Sequence, residues 1–390
     1  MRMFLKIGKM GCDAMKTFLK KHKLARVLAV SLLALFCLLA AVVLFLRFWP
    51  AFGGRASKED REDYAARAEN YKDGKFYNDG DFQIMRETQQ TDEQVMSSKG
   101  IQPEGEIPTV MPAYELPLSE EEIRVTWFGH SSMLLQMHGL NILIDPIFSE
   151  RSSPVSFAGA KRFSNPPVSV EDLPHIDILM LSHDHYDHMD YRTIKELDEK
   201  VDRYIVPLGL ENHLERWKVD AGKIQNMAWW EETEIGGLTI GCMPARHYSG
   251  RSLNDQFATL WASWVFRDEY YQVYESGDSG YGDHIRQIHD RYGDFDFVLI
   301  DCAQYDVSWP EVHMFPEEAV TAVEILRAGT AMPVHWGAFS LAYHAWDDSV
   351  ERFVGEGERA GLQIVTPKIG ETVRLQEPGD YQERWWREIP

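Results

Sequence analysis

Cysteine is scarce in this chain: four residues in 390, too few to organise a fold of this length covalently. Cys12 and Cys37 fall in the N-terminal stretch. Cys242 and Cys302 stand near predicted strand ends, where burial as small hydrophobes is favoured over pairing. Positive charge is also short, with 40 Lys and Arg against 61 Asp and Glu and a net charge of −21. It is unevenly spread. The first 26 residues carry Arg2, Lys6, Lys9, Lys16, Lys20, Lys21, Lys23 and Arg26 against Asp13, a net +7, which leaves −28 on the remainder. An acidic body argues against nucleic acid as a partner, because phosphate neutralisation needs Lys and Arg. Tandem repeats and low-complexity tracts are missing as well. With 44% hydrophobic residues, a chain of this length can bury a large core.

Charge is wholly absent from residues 27–46. Such a run crosses a hydrocarbon layer of about 30 Å as a helix. The apolar part of a secretory signal is shorter, about 7–15 residues, and no small-residue cleavage site follows. Phe36, just before Cys37, is too large for a lipoprotein signal. Arg47-Phe48-Trp49-Pro50 reads as an interfacial anchor with Pro50 ending the helix. Six Lys/Arg precede the run (residues 7–26) and four follow it (Arg47, Arg55, Lys58 and Arg61, residues 47–66). The positive-inside rule then predicts a single-pass membrane protein. Residues 1–26 form a basic cytoplasmic segment and 27–46 a signal anchor. The rest lies on the far side, the periplasmic side of an inner membrane if the source is bacterial. Residues 47–115 read as a tether and packing segment, with helical potential over 58–72 and prolines at 103, 108, 112 and 117.

Histidine is present where it is hard to ignore. Ser182-His183-Asp184-His185-Tyr186-Asp187-His188 follows the mostly apolar run 176–181, which predicts a buried strand with the motif on its exit loop. Three imidazoles and two carboxylates this close point to metal binding. His183 and His185 are placed to grip one ion, and Asp187 and His188 face a second. A two-metal site needs further donors. His247 follows the strand-like 238–244, Asp278 the strand-like 270–276, and His335 follows Met332-Pro333-Val334. Singly these read as a loop histidine, turn chemistry in Gly277-Asp278-Ser279-Gly280 and a core histidine. Together, each after a strand, they complete two coordination shells.

This order of donors resembles the metallo-β-lactamase superfamily. The likeness narrows through Trp127-Phe128-Gly129-His130-Ser131-Ser132, Asp145-Pro146-Ile147-Phe148-Ser149 and Lys161-Arg162-Phe163. Leu260 to Trp264, Pro316 to Val320 and His335-Trp336-Gly337 match too. These blocks resemble the N-acyl-phosphatidylethanolamine-hydrolysing phospholipase D branch, and sugar-lactone lactonases share part of the pattern. The resemblance implies an α/β fold, an αββα sandwich over residues 116–376, with a tail at 377–390. It implies one metal on His183, His185 and His247, a second on Asp187, His188 and His335, and Asp278 between them. Zinc is favoured, and manganese or iron fit the same donors. A dimer is plausible on the same ground.

The implied reaction is phosphodiester hydrolysis by a hydroxide shared between the metals, releasing phosphatidic acid and an N-acylethanolamine from a phospholipid. Lactone or other carbon–oxygen hydrolysis is the alternative. His313, in Val312-His313-Met314-Phe315-Pro316-Glu317, is read as a substrate-side donor or acid, or else as a plain histidine before a helix. Asp145 is expected to orient the metal loop, and His130 and Tyr305 to line the pocket. Met314-Phe315 is more apolar than the family block. Helices are predicted at 190–200, 282–292, 316–327 and 349–359, and opening strands at 123–128, 133–137 and 141–145. Trp385-Trp386 in the tail is expected to pack on the domain rather than on a bilayer.

Overall fold

A computed structural model of the protein describes residues 2–86, 100–114, 119 and 121–390. Pro117 and the other residues of 87–99, 115–118 and 120, in or beside the expected tether, lie outside the described residues. The chain divides into two units, 1–52 and 53–390.

The first unit is a single helix, α1 (Arg2–Phe48), closed by a 3-10 turn at Pro50–Phe52. Pro50 has no N–H to continue the ladder, so the helix stops before it. Within α1, Val27–Phe48 is apolar and long enough to cross a membrane by length and composition, and none of it is buried inside the structure. The helix runs on through the basic segment, further than the expected 27–46.

The second unit carries two mixed sheets. The strands of the first are β1 (Arg124–Trp127), β2 (Met133–Met137), β3 (Leu140–Ile144), β4 (Ile176–Met180), β5 (Val201–Pro207) and β6 (Ile224–Met227). Those of the second are β7 (Glu232–Ile235), β8 (Leu238–Met243), β9 (Ser263–Arg267), β10 (Gln272–Glu275), β11 (Phe297–Asp301) and β12 (Thr330–Val334). A last strand, β13 (Thr372–Arg374), returns to the first sheet, whose order is β6-β5-β4-β3-β2-β1-β13. The second has the order β7-β8-β9-β10-β11-β12. Strands β3 to β6 pair in parallel, as do β10 to β12, and the other neighbours are antiparallel.

Period-two alternation assigns the faces of the first sheet. Met133, Leu135, Ile142, Ile144, Ile178, Met180 and Ile205 pack into one cluster with residues of the second sheet, such as Ile240, Trp264 and Ile300. Leu134, Leu143, Leu179, Tyr204 and Val206 face the other way. They meet Ile194 and Leu197 of α3 (Tyr191–Leu197) and Leu214 of α4 (Glu211–Arg216). The second sheet is covered by α5 (His284–Tyr292), α6 (Pro316–Ile325) and α7 (Asp348–Ala360), through Ile285, Ile288, Val320, Val350 and Phe353. The layers are therefore helix, sheet, sheet, helix, as expected. Buried on both faces, the central strands read as near-continuous apolar runs.

The predicted helices appear within a few residues. Pro316 opens α6, and the Glu318 carboxylate accepts the Phe315 N–H at 3.0 Å. The stretch read as a tether and packing segment is packed in its described residues from Gly53 on. From Gly53 on, its described residues belong to the second unit. Ser57 and Asp60 cap α2 (Lys58–Arg67) reciprocally. Tyr64 and Phe76 are fully buried against Leu208, Leu260 and Trp261. Two large aromatic side chains are too costly to leave in water, and burying them docks the segment. The tail packs likewise, with Trp385 and Trp386 buried. Cys242 and Cys302 are buried free thiols.

Candidate metal centre

Every predicted donor stands just past the carboxyl end of a strand, where the ladder stops and a loop turns its side chain to the sheet edge. β4 delivers His183, His185, Asp187 and His188; β8 delivers His247, β10 delivers Asp278 and β12 delivers His335. The structure brings all seven together. His183, His185, His247 and Asp278 offer ligand atoms within 4.8 Å of one another, and so do His130, Asp187, His188 and His335.

In the first group, the Nδ1 of His185 lies 2.9 Å from His183 Nε2 and 3.1 Å from His247 Nε2. Asp278 Oδ2 stands 3.7 Å and 3.8 Å from the same two Nε2 atoms. In the second, His335 Nε2 is 3.4 Å from both Asp187 Oδ2 and Asp278 Oδ2. His188 Nε2 is 3.5 Å from Asp187 Oδ2 and 3.1 Å from Asp278 Oδ1. Four donors around one tetrahedral ion, each at roughly 2.0–2.1 Å, stand about 3.3–3.4 Å apart. The observed spacings bracket that value. His188 Nε2 and Asp278 Oδ1 are buried and have no hydrogen-bond partner among the described residues. The residues present therefore fit cations at both groups.

In four of the five imidazoles, all but His185, the outer nitrogen is occupied, which frees the inner one. His188 Nδ1 bonds Asp145 Oδ2 at 2.7 Å, His335 Nδ1 bonds Asp301 Oδ1 at 3.2 Å, and His247 Nδ1 donates to the Val312 carbonyl at 3.0 Å. His183 Nδ1 meets the Ser182 hydroxyl at 2.9 Å. Such partners fix the tautomer and aim Nε2 at the metal position. Asp145 also accepts the Ser182 N–H at 2.7 Å and so holds the start of the 182–188 loop.

Burial pushes His183, His185 and His247 below the ordinary histidine pKa, leaving neutral imidazoles with lone pairs to offer. For His335 burial is outweighed by the Asp278 and Asp301 carboxylates, and its pKa rises to about 10. His188 is also pushed up, by Asp278, Asp187 and Asp145 against burial. Asp187 and Asp278 are held well below the usual carboxylate range by the surrounding imidazoles, His188 foremost, against the opposing effect of burial. The carboxylates around the second group favour protons on His188 and His335, which a cation bound there would displace, whereas burial and the neighbouring His335 push His130 down to about 3.

The backbone here is strained. Asp145, His130 and His335 have φ of 44°, 55° and 69°, a conformation that costs side-chain-bearing residues on the order of 1–3 kcal/mol each. Hydrogen bonds hold it: His130 N–H donates to the Trp336 carbonyl at 2.8 Å and His335 N–H to the His130 carbonyl at 3.1 Å. These two bonds tie the first sheet's loop to the second's. Gly277, φ 53°, admits no side chain, since a Cβ there would meet the Ala262 carbonyl oxygen at 2.6 Å.

His185, Asp187, His247, Asp278 and His335 floor a cleft of about 470 Å³, walled by Ile84, Met85, Tyr186, Tyr248, Trp309 and Leu341. His313 lines it, with Nδ1 on Asp301 Oδ2 at 2.9 Å. Two expected pocket residues lie elsewhere. His130 sits behind the donors, its Nε2 on Asp187 Oδ2 at 2.8 Å. Tyr305 turns away: its hydroxyl bonds Asp348, and its ring stacks on His344. Sequence reasoning missed Asp301, whose signal was a carboxylate closing an otherwise apolar strand. It also left Asp184 unassigned. That side chain faces away from the donors, accepting the Gly250 N–H at 2.7 Å and the Thr259 hydroxyl at 3.0 Å.

Comparison with known proteins agrees with this architecture. Residues 140–336 match the family model of the β-lactamase superfamily domain. An uncharacterized protein of Mycobacterium tuberculosis is 39% identical over 288 residues, covering 71% of this chain and 77% of the relative. The N-acyl-phosphatidylethanolamine-hydrolyzing phospholipase D 1 of Caenorhabditis elegans is 34% identical over 236 residues, 57% of this chain and 66% of that protein. Among solved structures, an isothiocyanate hydrolase from Delia radicum gut bacteria aligns with a TM-score of 0.51 at 21% identity, over 64% of this chain and 98% of that one. The chain therefore belongs to the β-lactamase superfamily, as a metal-dependent hydrolase of the metallo-β-lactamase fold.

Proposed function

We propose that the protein is a membrane-bound phosphodiesterase of the phospholipase D type, which cleaves N-acyl-phosphatidylethanolamine to phosphatidic acid and an N-acylethanolamine. The observation that carries this reading is the pair of donor sets sharing Asp278 on the floor of an open, partly apolar cleft. His183, His185 and His247 would hold one divalent cation, Asp187, His188 and His335 a second, with Asp278 between them. Zinc suits this set best, and manganese or iron accept the same donors. Such cations supply Lewis acidity, lowering the pKa of water and neutralising charge on phosphoryl oxygens.

The chain's own residues do the rest. Asp301 accepts a hydrogen bond from His313 Nδ1, which leaves His313 Nε2 for the substrate. With a proton on Nε2, His313 can hydrogen-bond a phosphoryl oxygen from the cleft wall or pass that proton to the leaving alcohol. Ile84, Met85, Trp309 and Leu341 provide apolar surface beside the polar floor, which suits a diester with acyl chains. The similarity to the nematode enzyme supports the choice of substrate. In this reading Val27–Phe48 spans the membrane, residues 1–26 stay in the cytoplasm, and the catalytic unit works on the far face. Tethering an enzyme to its substrate plane raises the effective concentration.

The test uses the purified full chain, loaded with zinc, and N-acyl-phosphatidylethanolamine in mixed micelles. Release of N-acylethanolamine is expected, and Asp278→Ala abolishes it together with bound metal by elemental analysis. No release would sink the proposal. Faster turnover of lactones than of any phosphodiester would select carbon–oxygen hydrolysis.

A further inference from the structure

Two of the most exposed large apolar side chains in the second unit stand on loops that share the metal cleft's rim. Phe157 is 82% exposed and Leu253 is 89% exposed. Phe157 tops the loop between Arg151–Ser152 and Ala160–Lys161, whose foot, Ser152, lines the cleft. Leu253 lies three residues past Gly250, which also lines it. From other loops Met85 and Leu341 enter the same wall, 61% and 38% exposed. Leaving lone bulky apolar tips in water gains nothing for folding, and each is buried only by something outside the unit.

Resting on the phospholipid reading, we infer that Phe157 and Leu253 insert into a lipid bilayer and set the mouth of the metal cleft on its surface. The course of the chain favours lipid over a protein partner. Arg55 Nη2 donates to Asn254 Oδ1 at 2.8 Å, beside Leu253. Arg55 comes seven residues after the end of the apolar helix at Phe48, a contour of at most about 25 Å. The Leu253 loop is therefore within reach of whatever membrane the helix crosses. The tips also sit on separate loops, which suits insertion at several points better than one flat protein patch. Because the body is acidic, with a net charge of −28 beyond residue 26, insertion is driven by apolar burial. It holds on uncharged lipid and survives roughly 0.5 M salt, where surface charge is screened.

The experiment uses the full chain in phosphatidylcholine vesicles, with Cys12 and Cys37 replaced by Ser. The fluorophore NBD is attached at Phe157→Cys, at Leu253→Cys, or at Glu269→Cys. Glu269 lies in the turn at the opposite end of β10 from Asp278. At 157 and 253 the emission is expected to shift to the blue and to be quenched by lipids brominated on their acyl chains; at 269 neither occurs. Solvent-like emission at both 157 and 253 overturns the inference. This readout needs no activity, so it stands or falls apart from the phospholipase assay. In a second arm, the Phe157→Ser, Leu253→Ser double variant loses at least 10-fold in hydrolysis of vesicle lipid. It keeps its rate on a short-chain, water-soluble phosphodiester. An equal loss on both substrates would show that the tips serve the fold and not docking.

Discussion

Asp301 divides its two carboxylate oxygens between two imidazoles, His335 on one side and His313 on the other. It thereby couples a candidate metal donor to a candidate substrate contact, without facing the cleft itself. Asp301→Asn keeps the size but offers an amide to one of these imidazoles. Partners of this kind typically affect metal affinity or activity by about 10–100-fold. We expect a loss in that range in turnover, with the fold intact by circular dichroism. Unchanged turnover would leave Asp301 with a purely structural role. His284 makes a second prediction at this scale. Burial, with Arg246 nearby, lowers its pKa from 6.5 to about 3. Between those values the unfolded chain takes up a proton that the folded one refuses, so stability falls as pH falls through this window. His284→Gln removes that proton uptake. The urea midpoint, followed by tryptophan emission, should fall less steeply from pH 7 to 5 in the variant than in the parent.

Among the elements, the C-terminal 3-10 turn Trp385–Glu388 has an importance that its length hides. Trp385 stacks on Trp336 with ring centroids 5.3 Å apart, and Trp336 packs on Trp127 at 5.1 Å. Trp336 directly follows His335, so the tail braces the strand end that presents a candidate metal donor. Glu351 of α7 fastens the turn, accepting from Trp386 Nε1 at 3.0 Å and Arg384 Nη1 at 2.9 Å. Trp385→Ala deletes a fully buried indole, a change that costs about 3–5 kcal/mol. A lower melting temperature and weaker metal retention are the expected outcome, from calorimetry and elemental analysis. The segment 53–86 plays a similar part at the other end of the chain. Asn78 Nδ2 donates to the His247 carbonyl at 2.7 Å, and Ile84 and Met85 reach the cleft wall.

At the scale of the whole molecule, the proposed span in α1 and the proposed lipid contact of Phe157 and Leu253 are tested apart. If Val27–Phe48 spans the bilayer, alkaline carbonate leaves the protein in the membrane pellet, and a chain lacking residues 2–48 is extracted. Release of the full chain would show that its attachment is only peripheral.

Much of this is legible in the amino-acid sequence. The donors are local: His183 to His188 occupy one loop, and His247, Asp278 and His335 each follow an apolar run long enough to be a strand. The apolar run beginning at Val27 is equally plain, because membrane solubility depends on composition and length alone. The sequence by itself thus determined the fold class, and it named the candidate donors and the candidate membrane span. What it could not determine was which side chains meet across the two sheets. His130 is 57 residues from Asp187 and Tyr305 is 43 from Asp348, and those pairings took both residues out of the expected pocket lining. Asp301 became a partner of two histidines, and Ile84 and Met85 of the tether and packing segment reached the cleft wall, for the same reason. Each outcome depends on which loops the packed core brings to one edge, and burial of the whole core, more than any local signal, settles that.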